Sequence, residues 1–459
     1  MTERLTSLIC ATEPMNAVWS SRATLQRMLD VEAALACASA AHGVIPQAAV
    51  PAIVAACDAE QLDAEALARD AALGGNLAIP LVKQLTARVK AADPVASKYV
   101  HWGATSQDII DTATVLQLRD ALDLIEGGLD ALCTTLAALA RTHRATPAVG
   151  RTWLQQALPI TLGLKFAQWL DAMLRHRERL AALRERALVL QFGGAAGTLA
   201  SLRDAGPDVS ASLAKALALA QPTLPWHTQR DRIAEAASFF GMLIGTLGKI
   251  ARDISLQMQT EIGELAEPAA AGKGGSSTMP HKRNPVGCAA VLTAATRAPG
   301  LVATVFAGMV QEHERALGGW QAEWDALPDL ARLAGGALAH IEQITAGLEV
   351  NPERLAANLD ATHGLILGEA VMLALGDSIG RLDAHHLVEQ ASKKAVQTGR
   401  TLHEVLADEP AVTKHIDAAR LAALLDPAHY TGEAQAFVDA VLASYAQSVA
   451  TSSLQTHEE

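Results

Sequence analysis

Aromatic side chains are scarce in this sequence: Phe, Trp and Tyr make up 3% of 459 residues, although half the chain is hydrophobic. The apolar content therefore comes mainly from Ala, Leu and Val, dispersed among charges. No uninterrupted apolar run reaches the roughly 18 residues that cross a bilayer, so a membrane protein is not expected. Basic charge is also short, with 37 Lys and Arg against 49 Asp and Glu and a formal charge of −12. Without long basic runs, nonspecific nucleic-acid binding is not expected, because its affinity rests on neutralising phosphates. A small anionic substrate in a locally positive site stays open. Cys10, Cys37, Cys57, Cys133 and Cys288 are odd in number and form no C-x-x-C pair, a pattern of free thiols in a reducing compartment. The amino terminus, MTERLTSLICATEP, has no basic n-region and no sustained apolar stretch, so no secretory signal is read and the cytoplasm is the expected location.

What the chain does contain is helical periodicity. Val115, Leu118, Leu122, Ile125, Leu129, Leu132, Leu136 and Leu139 follow three-four spacing, which predicts a helix of about 45 Å at roughly 1.5 Å per residue, weakened at Gly127 and Gly128. Similar stripes run from Thr161 towards Leu190, from Phe240 to Met258, from Val286 through a kink at Pro299, and from Leu327 to about Leu348. Five amphipathic helices cannot each bury a stripe alone, so an elongated bundle is expected, with some faces turned to another subunit. The chain exceeds the usual single-core ceiling of roughly 250–300 residues. Its flanks carry shorter helices broken by Gly and Pro. Three helical domains are read, 1–112, 113–355 and 356–459, in an all-α fold without internal repeats.

The polar segment from Gly272 to Pro285 has the composition of a site. Gly272, Gly274 and Gly275 surround Lys273, then come Ser276 and Ser277, and Asn284-Pro285 offers an N-cap and an N1 proline to the helix starting near Val286. Lys273, Lys282 and Arg283 beside a helix amino terminus describe an anion site in an acidic protein; a solvated basic loop is the plain alternative. It is no Walker A loop, because Lys273 precedes the serines. His313-Glu314-Arg315-Ala316-Leu317 is no H-E-x-x-H zinc site, since Leu317 occupies the second ligand position. His385-His386 is read as surface or interface, and His227 as structural, between subunits.

Gly275 to Pro285, GSSTMPHKRNP, resembles the GSSxMPxKxNP signature of the fumarase/aspartase superfamily at every fixed position. His101 to Asp108, HWGATSQD, is similar to that superfamily's HxGxTSxD stretch, and Gly150 to Gln155, GRTWLQ, to its second region, GRTHLQ or similar. The resemblance spans nearly the whole chain. It implies a homotetramer with a twenty-helix core and active sites built from three subunits, and a β-elimination chemistry passing through an enediolate-like intermediate. It implies Ser276, Lys282 and Asn284 as the catalytic set, with Ser276 moving the proton and Lys282 and Asn284 holding a substrate carboxylate. His101, Thr105, Ser106, Arg151, Thr152, Gln155, Gln156, Ser277, Met279 and Arg315 are the implied substrate contacts. His101 is read either as an acid–base or carboxylate contact, or as a hydrogen-bonded support for the Thr105 loop. Neither a metal nor an organic cofactor is implied.

Lyases of the superfamily that expel an amine or hydroxide place a histidine in the second region as general acid. Here stand Trp153 and Gln156, neither of which delivers a proton at neutral pH. A carboxylate leaving group needs no acid. The superfamily's muconate cycloisomerases, in which a substrate carboxylate closes onto an alkene carbon as a lactone, fit that departure. Gly150 to Gly163, Gln191 to Gly197, Pro225 to Arg232 and Gln311 to Pro328 also resemble them. Gln156 stands where those enzymes often keep a histidine, which leaves open a muconate with another anionic substituent, such as sulfo. An adenylosuccinate lyase and a non-catalytic, crystallin-like protein are the remaining alternatives. The expected partner is a small polycarboxylate.

Overall fold

A computed structural model describes residues 6–270, 272, 274–275, 278–279 and 281–455. The fold is all-α, with two short strand pairs among the described residues. In chain order the elements that bear on function are α1 (Ser21–Ala41), α2 (Ser106–Thr142), the hairpin β1 (Pro147–Thr152) and β2 (Gln155–Thr161), α3 (Leu162–Ala187), α4 (Asp231–Gln257), β3 (Leu265–Ala266), α5 (Val286–Ala307), α6 (Gly319–Ala346), β4 (Glu349–Val350) and α7 (Pro352–Asp360). All five predicted long helices are present. Three begin earlier than their apolar stripes suggest, α2 at Ser106, α4 at Asp231 and α6 at Gly319, because their first turns lie ahead of the stripe.

The chain divides into two compact units. One comprises Met1–Leu129, His176–Lys249 and Ala289–His340; the other comprises Asp130–Arg175, Ile250–Cys288 and Ile341–Glu459. Within the first unit, glycines bring long helices close. A Cβ on Gly128 of α2 would stand 2.7 Å from Leu338 Cδ2 of α6, and one on Gly248 of α4 would meet Ala295 Cβ of α5 at 2.8 Å. Gly128, which weakens α2 by propensity, is thus repaid by close helix contact, and the helix runs through it. Buried Val115, Leu118, Leu122, Ile125 and Leu129 confirm the α2 stripe.

α4 and α5 are long and apolar enough, by length and composition, to cross a bilayer. Isolated charges such as Arg297 interrupt each apolar run, as the sequence reading has it, without making the helix polar on average. The apolar window of α4 is 61% buried inside the fold, that of α5 only 33%.

The hairpin is absent from the sequence reading. Its register pairs Thr152 with Gln155 and Arg151 with Gln156, with an irregularity between Val149 and Arg151. The two loop residues are Trp153 (φ 53°) and Leu154 (φ 64°), the sign pattern of a type I′ turn that usually takes Asn-Gly. Without that dipeptide no local signal announces the turn.

Candidate active site

In the first unit the predicted residues gather around one acid. Asp108, at the third position of α2, is 1% exposed. Its carboxylate accepts from Thr105 N at 3.0 Å, Gly193 N and Gly194 N at 2.9 Å, and Gln191 Nε2 at 3.2 Å, and His227 Nε2 lies 2.7 Å away. A buried carboxylate this fully partnered is a fixed anchor. It ties together residues 101–108, 191–197 and 225–232, three stretches far apart in sequence. His227 thus has a structural role within its own chain, as a partner of the Asp108 anchor.

Arg315 brings in the fourth stretch. Its Nη1 donates to Thr105 Oγ1 at 2.6 Å and its Nη2 to Ala195 O at 3.0 Å, while Nε is buried without a hydrogen-bond partner among the described residues. Ser106, half-buried, opens α2 beside Thr105. One turn along α2, Asp111 pairs with Arg230 (2.7 and 3.1 Å), which also reaches Glu323 (2.6 and 3.0 Å); Trp320 Nε1 donates to Asp111 at 2.9 Å. Arg230 is 2% exposed. Burial opposes its charge most strongly, yet the two carboxylates outweigh burial and hold it charged. This network underlies the start of α6, just after Arg315.

His101 sits on the same turn as Thr105. Its Nδ1 lies 2.6 Å from Oε1 of Glu32 in α1. Burial lowers its proton affinity most, but Glu32 and then Asp108 outweigh it and raise the imidazole above its ordinary range. Glu32 was missed by motif reading. It had a signal, an acid on the apolar stripe of Leu25, Met28, Leu29 and Leu35.

The second unit holds the other group. Arg151 makes a bidentate pair with Glu264 (2.6 and 2.9 Å), whose side chain is 1% exposed, and Asn358 Nδ2 donates to the same carboxylate at 2.8 Å. Gln156 Nε2 donates to Asn358 O at 2.9 Å, and its Oε1 is buried without a hydrogen-bond partner among the described residues. The Arg151 fork binds a carboxylate of the protein itself and so holds the hairpin. Thr152 and Gln155 are exposed at the hairpin end, where Trp153 is 98% exposed.

Of the glycine-rich loop, Lys273, Ser276 and Ser277 lie outside the described residues. Gly274 (φ 69°) accepts from Asn284 N at 2.9 Å, and a Cβ there would stand 2.6 Å from Asn284 O. Lys282 and Met279 are exposed and Asn284 half-buried. Arg283 is bound to Glu349 through two 2.8 Å bonds and to Glu267 O at 2.5 Å. Glu267, 3% exposed, accepts from Gly287 N at 3.1 Å and Cys288 N at 2.7 Å. Arg283 braces the loop against the protein's own Glu349, and the two amides at the start of α5 are held by the Glu267 side chain. The helix starts at Val286 rather than at Pro285. Among the described residues no cluster of three His, Cys, Asp or Glu side chains is placed to hold a metal.

Known proteins resemble this chain over nearly its whole length. A family model described as lyase matches residues 8–300, and one described as adenylosuccinate lyase C-terminus matches residues 364–441. A 3-carboxy-cis,cis-muconate cycloisomerase of Pseudomonas aeruginosa is 56% identical over 432 residues, covering 94% of each chain. Nitrosuccinate lyase of Streptomyces davaonensis is 45% identical over 443 residues, 95% of this chain and 93% of that protein. The crystal structure of the 3-carboxy-cis,cis-muconate lactonizing enzyme from Pseudomonas putida superposes with a TM-score of 0.93 at 52% identity, covering 97% of this chain and 99% of that one. The chain belongs to this lyase family, the fumarase/aspartase superfamily that its GSSTMPHKRNP segment resembles.

Proposed function

We propose that the protein catalyses the cycloisomerisation of 3-carboxy-cis,cis-muconate to a carboxymuconolactone. The observation that carries this reading is the second-region hairpin, which presents Trp153 at its tip and Gln156 in its pair with Arg151, and no imidazole. An elimination that expels an amine lacks its acid there, whereas closure of a carboxylate onto an alkene does not need one. Relatives at 50–56% identity over nearly the full length bear the name of that reaction.

In this mechanism a terminal carboxylate of the substrate attacks the alkene carbon, forming the C–O bond of the lactone. The alkene electron pair moves onto the carbon α to another carboxylate. Lys282 and Asn284 stabilise that enediolate-like charge, and the Ser276 hydroxyl delivers the proton to carbon, its alkoxide being reprotonated from solvent. His101 and Arg315, with Thr105, Ser106 and Met279, hold the remaining substrate groups, and Thr152, Gln155, Gln156 and Ser277 line the rest. The reading includes three helical domains, 1–112, 113–355 and 356–459, a cytoplasmic location, and a homotetramer whose sites are shared between three subunits. The apolar α5, two thirds of whose window is uncovered within one chain, and the bare Trp153 support the assembly.

The test is the loss of diene ultraviolet absorbance when purified protein meets 3-carboxy-cis,cis-muconate, with adenylosuccinate and argininosuccinate in parallel. Decay of the muconate alone is expected; fumarate release from adenylosuccinate without muconate decay overturns the reading. Ser276→Ala should lower turnover by on the order of 10²–10⁴-fold, and wild-type turnover would remove Ser276 from the proton-transfer role.

A further inference from the structure

Glu32 has no part in the chemistry above, yet its position demands a reason. It lies in the middle of α1 among Met28, Leu29, Val31 and Leu35, with 1% exposure. An ionised carboxylate there is strongly disfavoured unless it is partnered. The partner arrives from 69 residues away, Nδ1 of His101 at 2.6 Å. His101 is gripped from its backbone too. Its φ is 58°, a left-handed conformation that costs energy for a residue with a Cβ. Gly103 follows at φ 83°, pressed so closely by Leu202 that a Cβ would stand 2.5 Å from Leu202 Cδ2. The ring is thus held at its root and at Nδ1. Nε2 has no protein hydrogen-bond partner among the described residues.

We propose that Glu32 is a positioning residue: by holding Nδ1 of His101 it fixes the ring so that Nε2–H binds a substrate carboxylate beside Thr105 and Arg315. The substrate in this inference rests on the cycloisomerase reading; the pairing does not. The protonation logic follows from the tautomers. With Nδ1–H given to Glu32, a neutral ring shows a lone pair at Nε2 and repels a carboxylate, whereas the imidazolium donates from both nitrogens. The charged and titratable groups facing the ring are Glu32 from α1 and Asp108 from α2, the latter bonded to His227, with Arg315 on the neighbouring Thr105. The two carboxylates favour the cation against burial. Substrate binding should therefore be strong below the His101 pKa and weaken as pH rises through it.

The experiment measures kcat and KM against pH for the wild type, Glu32→Gln and Glu32→Asp with 3-carboxy-cis,cis-muconate. In parallel, the His101 ring is titrated by NMR in substrate-free protein labelled at histidine Cε1 and assigned with His101→Asn. In the wild type, KM should rise on the alkaline side with the midpoint seen by NMR. Glu32→Gln should move both midpoints down by on the order of one pH unit, so that KM above both midpoints rises about tenfold with kcat nearly kept. Glu32→Asp should give a smaller shift in the same direction, and it carries the test if the Gln variant does not fold. Coincident midpoints in wild type and variant, or a loss confined to kcat, overturn the proposal. A wild type that leaves the muconate unchanged defeats the functional reading instead, and the NMR midpoints then decide on their own whether Glu32 governs His101.

Discussion

At the residue scale, the cations of the predicted site have different jobs. Arg151 and Arg283 are bound to Glu264 and Glu349, whereas the Lys282 side chain is exposed with no hydrogen-bonded or ionic partner among the described residues. The pairs differ in burial: Glu264 is 1% exposed, while Arg283 and Glu349 are nearly half exposed. Removing the guanidinium from a buried carboxylate is far costlier than losing an exposed pair. Arg151→Met should lower unfolding free energy by about 3–5 kcal/mol in a denaturant titration, leaving Glu264 buried and uncompensated. A loss below about 1 kcal/mol, the range of an exposed pair, would mean that the Glu264 pair does not hold the hairpin.

At the element scale, the loops are shaped by backbone as much as by side chains. Gly274 combines a left-handed φ with a neighbour, Asn284 O, that sits where a Cβ would go. Alanine there must displace the strand of loop that carries Lys282 and Asn284. Gly274→Ala is expected to cut turnover at least about tenfold while the thermal midpoint stays within a few degrees, because the strain is local. Activity equal to wild type would show that the Gly274–Asn284 contact does not set the geometry of the reacting groups. The Trp153-Leu154 turn is the counterpart in the hairpin: two side-chain-bearing residues hold positive φ where Asn-Gly would be easier. Strain retained at an exposed tip fits a part that serves function rather than stability.

For the whole molecule, α5 presents an imbalance. Its apolar window is one third buried within the chain, and Phe306 near its end is 48% exposed. Sedimentation should give four times the 48.1 kDa chain mass, and Phe306→Glu should reduce both assembly and turnover, since a charge in a packed interface is costly. Smaller species with full activity would dissociate the site from the assembly.

Periodicity alone determined the five long helices, because an apolar stripe at three-four spacing has few other ways to be buried. Composition announced the glycine-rich loop, and the motifs marked Thr105, Arg315 and Lys282 by residue type. Tertiary structure decided what each charge is for. Whether Arg151 or Arg283 is free depends on Glu264 and Glu349, 113 and 66 residues away, and whether the amides of Gly287 and Cys288 are open depends on Glu267. Glu32 and His101 likewise meet only after α1 and the turn before α2 pack together. A stripe is local and survives in one dimension. The partner of a buried charge is chosen by folding, and with it the difference between a binding group and a brace.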